Sequence, residues 1–217
     1  MKGQFLGLPL AREGVRFIVP VFALSLFSFA MGWNCVGSIF LGLTIFVTAF
    51  FRDPDRKILQ VDRGVISPAD GKVVEIVEVD DDPVYGKTKG IRVSIFLNVF
   101  NVHVNRSPVS GKVLKVAYNK GKFINAAHEK ASLDNEQNAV LIETPGGKKV
   151  LVKQIAGLIA RRILCWSKEG DQLASGERFG LIRFGSRTDI FFPEGSEISV
   201  QVGDKVKGGL HLIGKTG

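Results

Sequence analysis

Gly71-Lys72-Val73-Val74-Glu75-Ile76-Val77-Glu78-Val79 runs into Asp80-Asp81-Asp82-Pro83. Part of the run alternates polar and apolar, the period-two signature of a strand with one buried face, and Asp-Asp-Asp-Pro is a turn signal. Similar runs recur toward the C-terminus. Ile91–Leu97, Gly111–Tyr118, Ala139–Glu143, Lys149–Gln154, Leu181–Phe184, Thr188–Phe192, Glu197–Val202 and Leu210–Ile213 all read as strands. Pro145-Gly146-Gly147 closes Ala139–Glu143 and Lys149–Gln154 into a hairpin. Short strands at close spacing with Gly turns predict an antiparallel β domain. Helix is sparse there, with Asn125–Ala131 and Ala156–Ile163 as short candidates.

A weak internal echo runs through this region. Pro68-Ala69-Asp70-Gly71-Lys72-Val73 resembles Pro108-Val109-Ser110-Gly111-Lys112-Val113. Val202-Gly203-Asp204-Lys205-Val206-Lys207-Gly208-Gly209 looks like the turn of lipoyl- and biotinyl-type domains. In each, a turn residue and Gly reverse the chain before a Val-rich strand. The fold class is therefore mainly β (α+β): a flattened antiparallel β barrel or sandwich with lipoyl-like turns. No Met-Lys-Met-like attachment site is present, which argues against a swinging-arm carrier.

The N-terminal part reads differently. From Phe17 to Phe51 there is no Asp, Glu, Lys, Arg or His. As one helix the run would be about 52 Å long, against a hydrocarbon core of about 30 Å. Gly32-Trp33-Asn34 breaks it into two arms, Phe17–Met31 and Val36–Phe51. Arg12 and Arg16 precede the run, and Arg52, Arg56 and Lys57 follow it, which puts both ends on the cytoplasmic side of a membrane. The expectation is a helical hairpin over 1–57 that enters the membrane and returns, followed by a β-rich catalytic domain over 58–217. Two other readings are open at this stage: a signal peptide cut after Ser28-Phe29-Ala30, and a helical pair buried in a soluble protein.

Composition narrows the classes further. The chain has 217 residues, 45% of them hydrophobic, with 29 Lys+Arg against 21 Asp+Glu. That hydrophobicity excludes a disordered chain. Two cysteines, Cys35 and Cys165, exclude a disulfide scaffold, and three histidines leave little material for a metal site. The net charge of +8 favours anionic lipid head groups for a domain tethered to a bilayer. Nucleic acid is the other partner of basic chains, but no aromatic-rich basic motif supports it.

Few residues can carry chemistry. His103 lies in Phe100-Asn101-Val102-His103-Val104-Asn105-Arg106-Ser107-Pro108, at the end of an apolar strand, where functional residues collect. His128 and His211 have plainer surroundings. Asp70, in the turn Ser67-Pro68-Ala69-Asp70-Gly71, could orient His103 as the acid of a Ser-His-Asp arrangement does. Gly185-Ser186 lies between two strands without the Gly-x-Ser-x-Gly of a nucleophile elbow. Taken singly, the plain readings come first: turn chemistry for Asp70, a structural role for a lone histidine, and almost nothing from a Gly-Ser pair.

Taken together, the segments resemble the short-form phosphatidylserine decarboxylases of bacteria and archaea. The resemblance rests on Ser67-Pro-Ala-Asp-Gly-Lys72, Asn101-Val-His-Val-Asn-Arg-Ser-Pro108, Ala131-Ser-Leu-Asp-Asn-Glu-Gln-Asn138, Ile155-Ala-Gly-Leu-Ile-Ala-Arg-Arg162 and Gly176-Glu-Arg-Phe-Gly-Leu-Ile-Arg-Phe-Gly-Ser-Arg187. Order and spacing hold from about residue 60 to the end, and an apolar N-terminal anchor is usual for the family.

The resemblance implies a proenzyme that breaks its own chain at Gly185–Ser186, leaving a β chain 1–185 and an α chain 186–217 that stay together as a heterodimer. His103, held by Asp70, would take the Ser186 hydroxyl proton; the oxygen would attack the Gly185 carbonyl and give an ester. β-Elimination then leaves a dehydroalanine, which hydrolyses to a pyruvoyl group with release of ammonia. That group, a covalent cofactor made from Ser186, would decarboxylate phosphatidylserine to phosphatidylethanolamine by withdrawing the electrons left by CO2. His103 would return the proton to Cα. Arg106, Arg161, Arg162 and Arg187 are candidates for the lipid phosphate, because Arg can grip phosphate with two parallel hydrogen bonds. The implied place is the cytoplasmic face of the cell membrane, as a peripheral or monotopic protein, with a homo-oligomer left open.

Two departures from the family's long branch stand out. The cut reads Phe184-Gly185-Ser186-Arg187 rather than Leu-Gly-Ser-Thr, and Phe100 stands where that branch has a second histidine. An archaeal ether-lipid substrate, archaetidylserine, and a non-enzymatic membrane-tethered β-barrel adaptor are the alternative functions.

Overall fold

The computed structural model describes residues 3–121, 135–157, 162–183 and 186–217. Asn125–Ala131, with His128, lies outside them, as do residues 158–161 of Ala156–Ile163. The chain divides into two compact units, Met1–Asp55 and Arg56–Gly217.

The first unit is a helical pair, α1 (Val15–Ala30) and α2 (Asn34–Phe50). Gly32 turns the chain between them at a φ of +77°, where a side chain would be strained. The pair is inside-out by the standards of a soluble protein. Its buried positions include Ser25, Ser28, Gly37 and Thr44, while Phe22, Leu26, Phe27, Ile39 and Ile45 are exposed. Ser25 Oγ donates to the Gly37 carbonyl at 2.8 Å, and the absent Gly37 side chain makes room for the Phe29 ring. Small and hydroxyl residues between helices with large apolar ones outside is the pattern of helices packed in lipid. The stretch Arg12–Ala30 is long and apolar enough to cross a membrane.

The second unit is built from strands: β1 (Gly64–Ile66), β2 (Gly71–Val79), β3 (Gly90–Leu97), β4 (Val104–Arg106), β5 (Gly111–Asn119), β6 (Gln137–Glu143), β7 (Lys149–Ala156), β8 (Ile163–Cys165), β9 (Gln172–Leu173), β10 (Arg178–Ile182), β11 (Ser186–Pro193), β12 (Glu197–Ile198), β13 (Lys205–Val206) and β14 (Leu212–Lys215). One curled antiparallel sheet has the order β13-β2-β3-β11-β7-β6-β5-β9; two smaller sheets, β1-β14-β12 and β4-β10-β8, complete the half-barrel. Val73, Val93, Ile95, Val113, Val140, Ile142, Val152 and Ile190 fill the core.

The predicted strands at β2, β3, β5, β6 and β7 match closely. Glu197–Val202 does not: β12 ends at Ile198, and Gln201 and Asp204 instead close a turn, with Gln201 N–H donating to the Asp204 carboxylate at 2.9 Å. The short strands β1, β4, β8, β9 and β13 are missing from the sequence reading because two or three residues cannot display an alternation.

The sequence echo proves to be a pseudo-two-fold repeat. Arg106 N–H donates to the Pro68 carbonyl at 2.9 Å, and Ile66 N–H to the Pro108 carbonyl at 3.0 Å. Gly209 N–H reaches the Ser67 carbonyl, and Gly176 N–H the Ser107 carbonyl, both at 2.8 Å. Each half has a bulge at the same place, Val73/Glu75 on β2 and Val113/Lys115 on β5. Gly71 and Gly111 each lie so close to the opposite strand that a Cβ would strike a carbonyl oxygen, of Phe96 and of Glu143. One half is β1–β3 with β11–β14; the other is β4–β10. The axis passes through the paired Ile190 and Val152 at the centre of the sheet.

Candidate active site

Ser186 opens β11, between Leu97 of β3 and Ala156 of β7. It is fully buried, and its Oγ has no hydrogen-bond partner among the described residues. A buried hydroxyl left in that state costs about 1–3 kcal/mol, so its persistence calls for a chemical reason. Gly185 and Phe184 lie outside the described residues.

His103 is also fully buried. It immediately precedes β4, and its carbonyl accepts the Ile182 N–H at 3.2 Å, which ties it to the chain four residues before Ser186. Its ring Nδ1 faces the Asn101 carbonyl at 2.9 Å. A carbonyl only accepts, so Nδ1 carries the proton, and a neutral ring then has its basic lone pair on Nε2. Asn101 thus sets the tautomer that a general base needs.

Asp70 departs from the expected Asp-His link. Its carboxylate is gripped by Arg56, Nη1 to Oδ1 at 2.5 Å and Nη2 to Oδ2 at 2.9 Å, and it accepts the Gly208 N–H at 2.8 Å. Arg56 Nη1 also donates to the Gly208 carbonyl at 2.6 Å. Both Asp70 oxygens are engaged there, and among the described residues no hydrogen bond joins Asp70 to His103. Arg56 is a site-region residue that the sequence did not reveal, because it reads as a flanking charge beside the apolar run.

The arginines separate by burial. Arg187 is 2% exposed and gives Nε and Nη2 to the Asp189 carboxylate at 2.7 and 2.8 Å, so its fork is spent on the protein. Arg106 is buried and donates Nη1 to the Gly176 carbonyl at 3.1 Å. Those two departures share one cause: both guanidinium groups point into the fold. Arg162 is exposed, and Arg161 lies outside the described residues. Near the Ser186 end of β7, Asn135 Nδ2 donates to the Ala156 carbonyl at 2.8 Å, and Glu136 accepts the Tyr118 hydroxyl at 2.9 Å. Burial and that Glu136 contact push the Tyr118 pKa up, burial foremost.

A chain of amides runs behind the site. Asn138 Nδ2 donates to Gln154 Oε1 at 3.1 Å, Gln154 Nε2 to Asn105 Oδ1 at 2.9 Å, and Asn105 Nδ2 to Thr188 Oγ1 at 3.4 Å. All four residues are buried. Gly180 makes room for it, since a Cβ there would lie 2.7 Å from Gln154 Nε2. The sequence carried no signal of this chain, which joins residues from four strands.

A family model described as phosphatidylserine decarboxylase matches residues 43–214. A phosphatidylserine decarboxylase proenzyme from Syntrophotalea carbinolica is 49% identical over 207 residues, covering 95% of this chain and 96% of its own. The proenzyme of that name from Syntrophus aciditrophicus is 47% identical over 208 residues (94% and 96%). One from Burkholderia vietnamiensis is 49% identical over 197 residues, 91% of either chain.

Proposed function

The chain belongs to the phosphatidylserine decarboxylase family, and on that premise we infer its reaction and its machinery. It decarboxylates phosphatidylserine to phosphatidylethanolamine. It is made as a proenzyme that cuts itself between Gly185 and Ser186 and converts Ser186 to a pyruvoyl group. The observation that carries this reading is Ser186: a fully buried serine at the head of a central strand, its hydroxyl without a partner among the described residues. Such a hydroxyl is not a structural hydrogen-bonding group, and it suits a group kept for reaction.

His103 Nε2, made basic by the Nδ1–Asn101 contact, takes the Ser186 proton. The Ser186 oxygen attacks the Gly185 carbonyl carbon; the Gly185–Ser186 amide bond breaks and an ester forms. Loss of the Ser186 Cα proton expels the Gly185 carboxylate. Water then replaces nitrogen at residue 186, and ammonia leaves. Asp70 contributes its carboxylate, held in place by Arg56 and the Gly208 N–H, rather than the turn alone. Once formed, the pyruvoyl carbonyl supplies the electron-withdrawing ketone that decarboxylation needs. His103 holds the proton that returns to the substrate carbon. Arg162, exposed, is our candidate for the lipid phosphate. The helical pair seats the protein in the membrane, at its cytoplasmic face, with the outward Phe, Leu and Ile side chains in the hydrocarbon.

The test is the intact mass of the purified full chain. Two fragments divided after Gly185, the smaller with a blocked N-terminus, are expected. A single chain, or a small fragment beginning with a free serine amine, would overturn the reading.

A further inference from the structure

We propose that Asn105, Gln154 and Thr188, with Asn138 behind them, are positioning residues for self-cleavage. The inference rests on the reading of Ser186 as nucleophile and His103 as base, and it is carried by the internal repeat.

The pseudo-two-fold axis gives the core strands of one half counterparts in the other. The register of β2 with β3 and of β5 with β6 pairs Ile91 with Asn138 as equivalents. The exchanged bonds of Ile66 and Arg106 pair Val65 with Asn105. The pairing of β11 on β7 makes Phe192 equivalent to Gln154, and Val150 to Thr188. The amide chain Asn138–Gln154–Asn105–Thr188 at one end of the barrel is thus replaced at the other by Ile91, Phe192, Val65 and Val150. All four of these belong to the apolar core or pack against it. Even the space is the same. Phe192 lies over Gly214 as Gln154 lies over Gly180, the absent Cβ making room in both cases.

The molecule therefore contains its own control. One fold position is closed by hydrophobic side chains at one end and by four buried polar groups at the other. Buried polar groups cost free energy unless every partner is in place, so the fold does not need them there. They occur at the end that holds Ser186 and His103. Thr188 is two residues from Ser186 on the same face of β11, and Asn105 is two residues from His103. β4 and β11 belong to different sheets, so no ladder fixes one against the other. The Asn105–Thr188 bond joins them, and Gln154, locked by Asn138, fixes the Asn105 amide. An apolar contact would leave β4 able to slide by a fraction of an ångström; a directed chain of hydrogen bonds does not.

The experiment transplants one end onto the other. The full chain is made by cell-free synthesis, and cleavage is followed in time on a denaturing gel for wild type, for the quadruple variant Asn105→Val, Gln154→Phe, Thr188→Val, Asn138→Ile, and for Thr188→Val and Thr188→Ser. The quadruple variant is expected to unfold at a midpoint no lower than that of the uncut Ser186→Ala protein, yet to cleave about ten- to a hundredfold more slowly, the range a displacement of about 1 Å produces. Thr188→Val alone should slow cleavage, and Thr188→Ser should restore it. Cleavage of the quadruple variant at the wild-type rate overturns the proposal. So does equal cleavage by Thr188→Val and Thr188→Ser, a comparison that stands even where the quadruple variant does not fold. Cleavage in Ser186→Ala, or wild-type cleavage in His103→Ala, would instead overturn the underlying reading of the site.

Discussion

Changing Ser186 to Ala should leave one uncut, inactive chain, because alanine has no oxygen to attack Gly185 and none to eliminate; a fragment of 186–217 in its mass spectrum would move the nucleophile elsewhere. His103→Ala should slow cleavage about 10²–10⁴-fold, the usual contribution of one general base, measured by gel time course. The repeat also sharpens the role of Asp70. Its counterpart is Ser110, whose Oγ accepts the Ser175 N–H at 2.9 Å just as Asp70 accepts the Gly208 N–H at 2.8 Å. A serine therefore closes this turn, and neither a carboxylate nor Arg56 is required for it. Asp70→Ser combined with Arg56→Met, which leaves no buried guanidinium without its carboxylate, should accordingly fold with little loss of thermal stability while cleaving slowly; a variant as fast as wild type would make Asp70 a turn residue only. The proposed site residues Ser186, His103 and Asp70 can be named from the sequence because each sits in a short motif of its own. Arg56 and the amide chain cannot, because their meaning lies in contacts between segments up to 152 residues apart.

At the scale of elements, long strands announced themselves and short ones did not. β2 and the β6–β7 hairpin each have enough residues to show a pattern and a turn. β4, which follows His103 directly, has three residues and no alternation to read. The break at Gly32 was legible because a glycine punctuates an otherwise uncharged run, and the inside-out burial of α1 and α2 adds what hydropathy alone could not. That burial makes a prediction for the anchor. Deleting residues 1–55 should give a protein that no longer needs detergent and still cuts itself, but turns over phosphatidylserine in liposomes poorly while acting on a short-chain, water-soluble analogue. Undiminished turnover on liposomes would mean that the helices contribute nothing to substrate access. The deletion ends at residue 55, at the boundary of the second unit, because a longer one would remove Arg56 and break the Asp70 pair.

For the molecule as a whole, the repeat gives a physical reason for the proposed cut to be single and for the two pieces to remain together. The rotation that exchanges the halves carries Asp70 to Ser110, His103 to Arg63 and Ser186 to Lys148. These three line an open cavity of about 370 Å³ together with Ser175. Lys148 has no hydroxyl to attack the Gly147 carbonyl, so Gly147–Lys148 should stay intact. The halves also interleave: the chain completes β1–β3 of the first, builds all of the second, then returns for β11–β14. The proposed cleavage after Gly185 falls at that return. The fragment 186–217 is consequently no tail. Its β11 lies between β3 and β7, β13 pairs with β2, and β14 with β1. Ile190, Phe192 and Ile213 are fully buried, and Phe191 and Val206 nearly so. At about 1.5–3 kcal/mol for each such side chain, leaving would cost on the order of 10 kcal/mol before any ladder hydrogen bond is counted. A free energy of about 10 kcal/mol corresponds to a dissociation constant of some tens of nanomolar, so the cut protein should hold together at micromolar concentration. On size exclusion in mild detergent the two fragments should elute as one species, and a denaturant strong enough to unfold the sheet should be needed to part them. Elution of 186–217 on its own under native conditions would show that the sheet opens once Gly185–Ser186 is broken, and that the central place of β11 does not retain it.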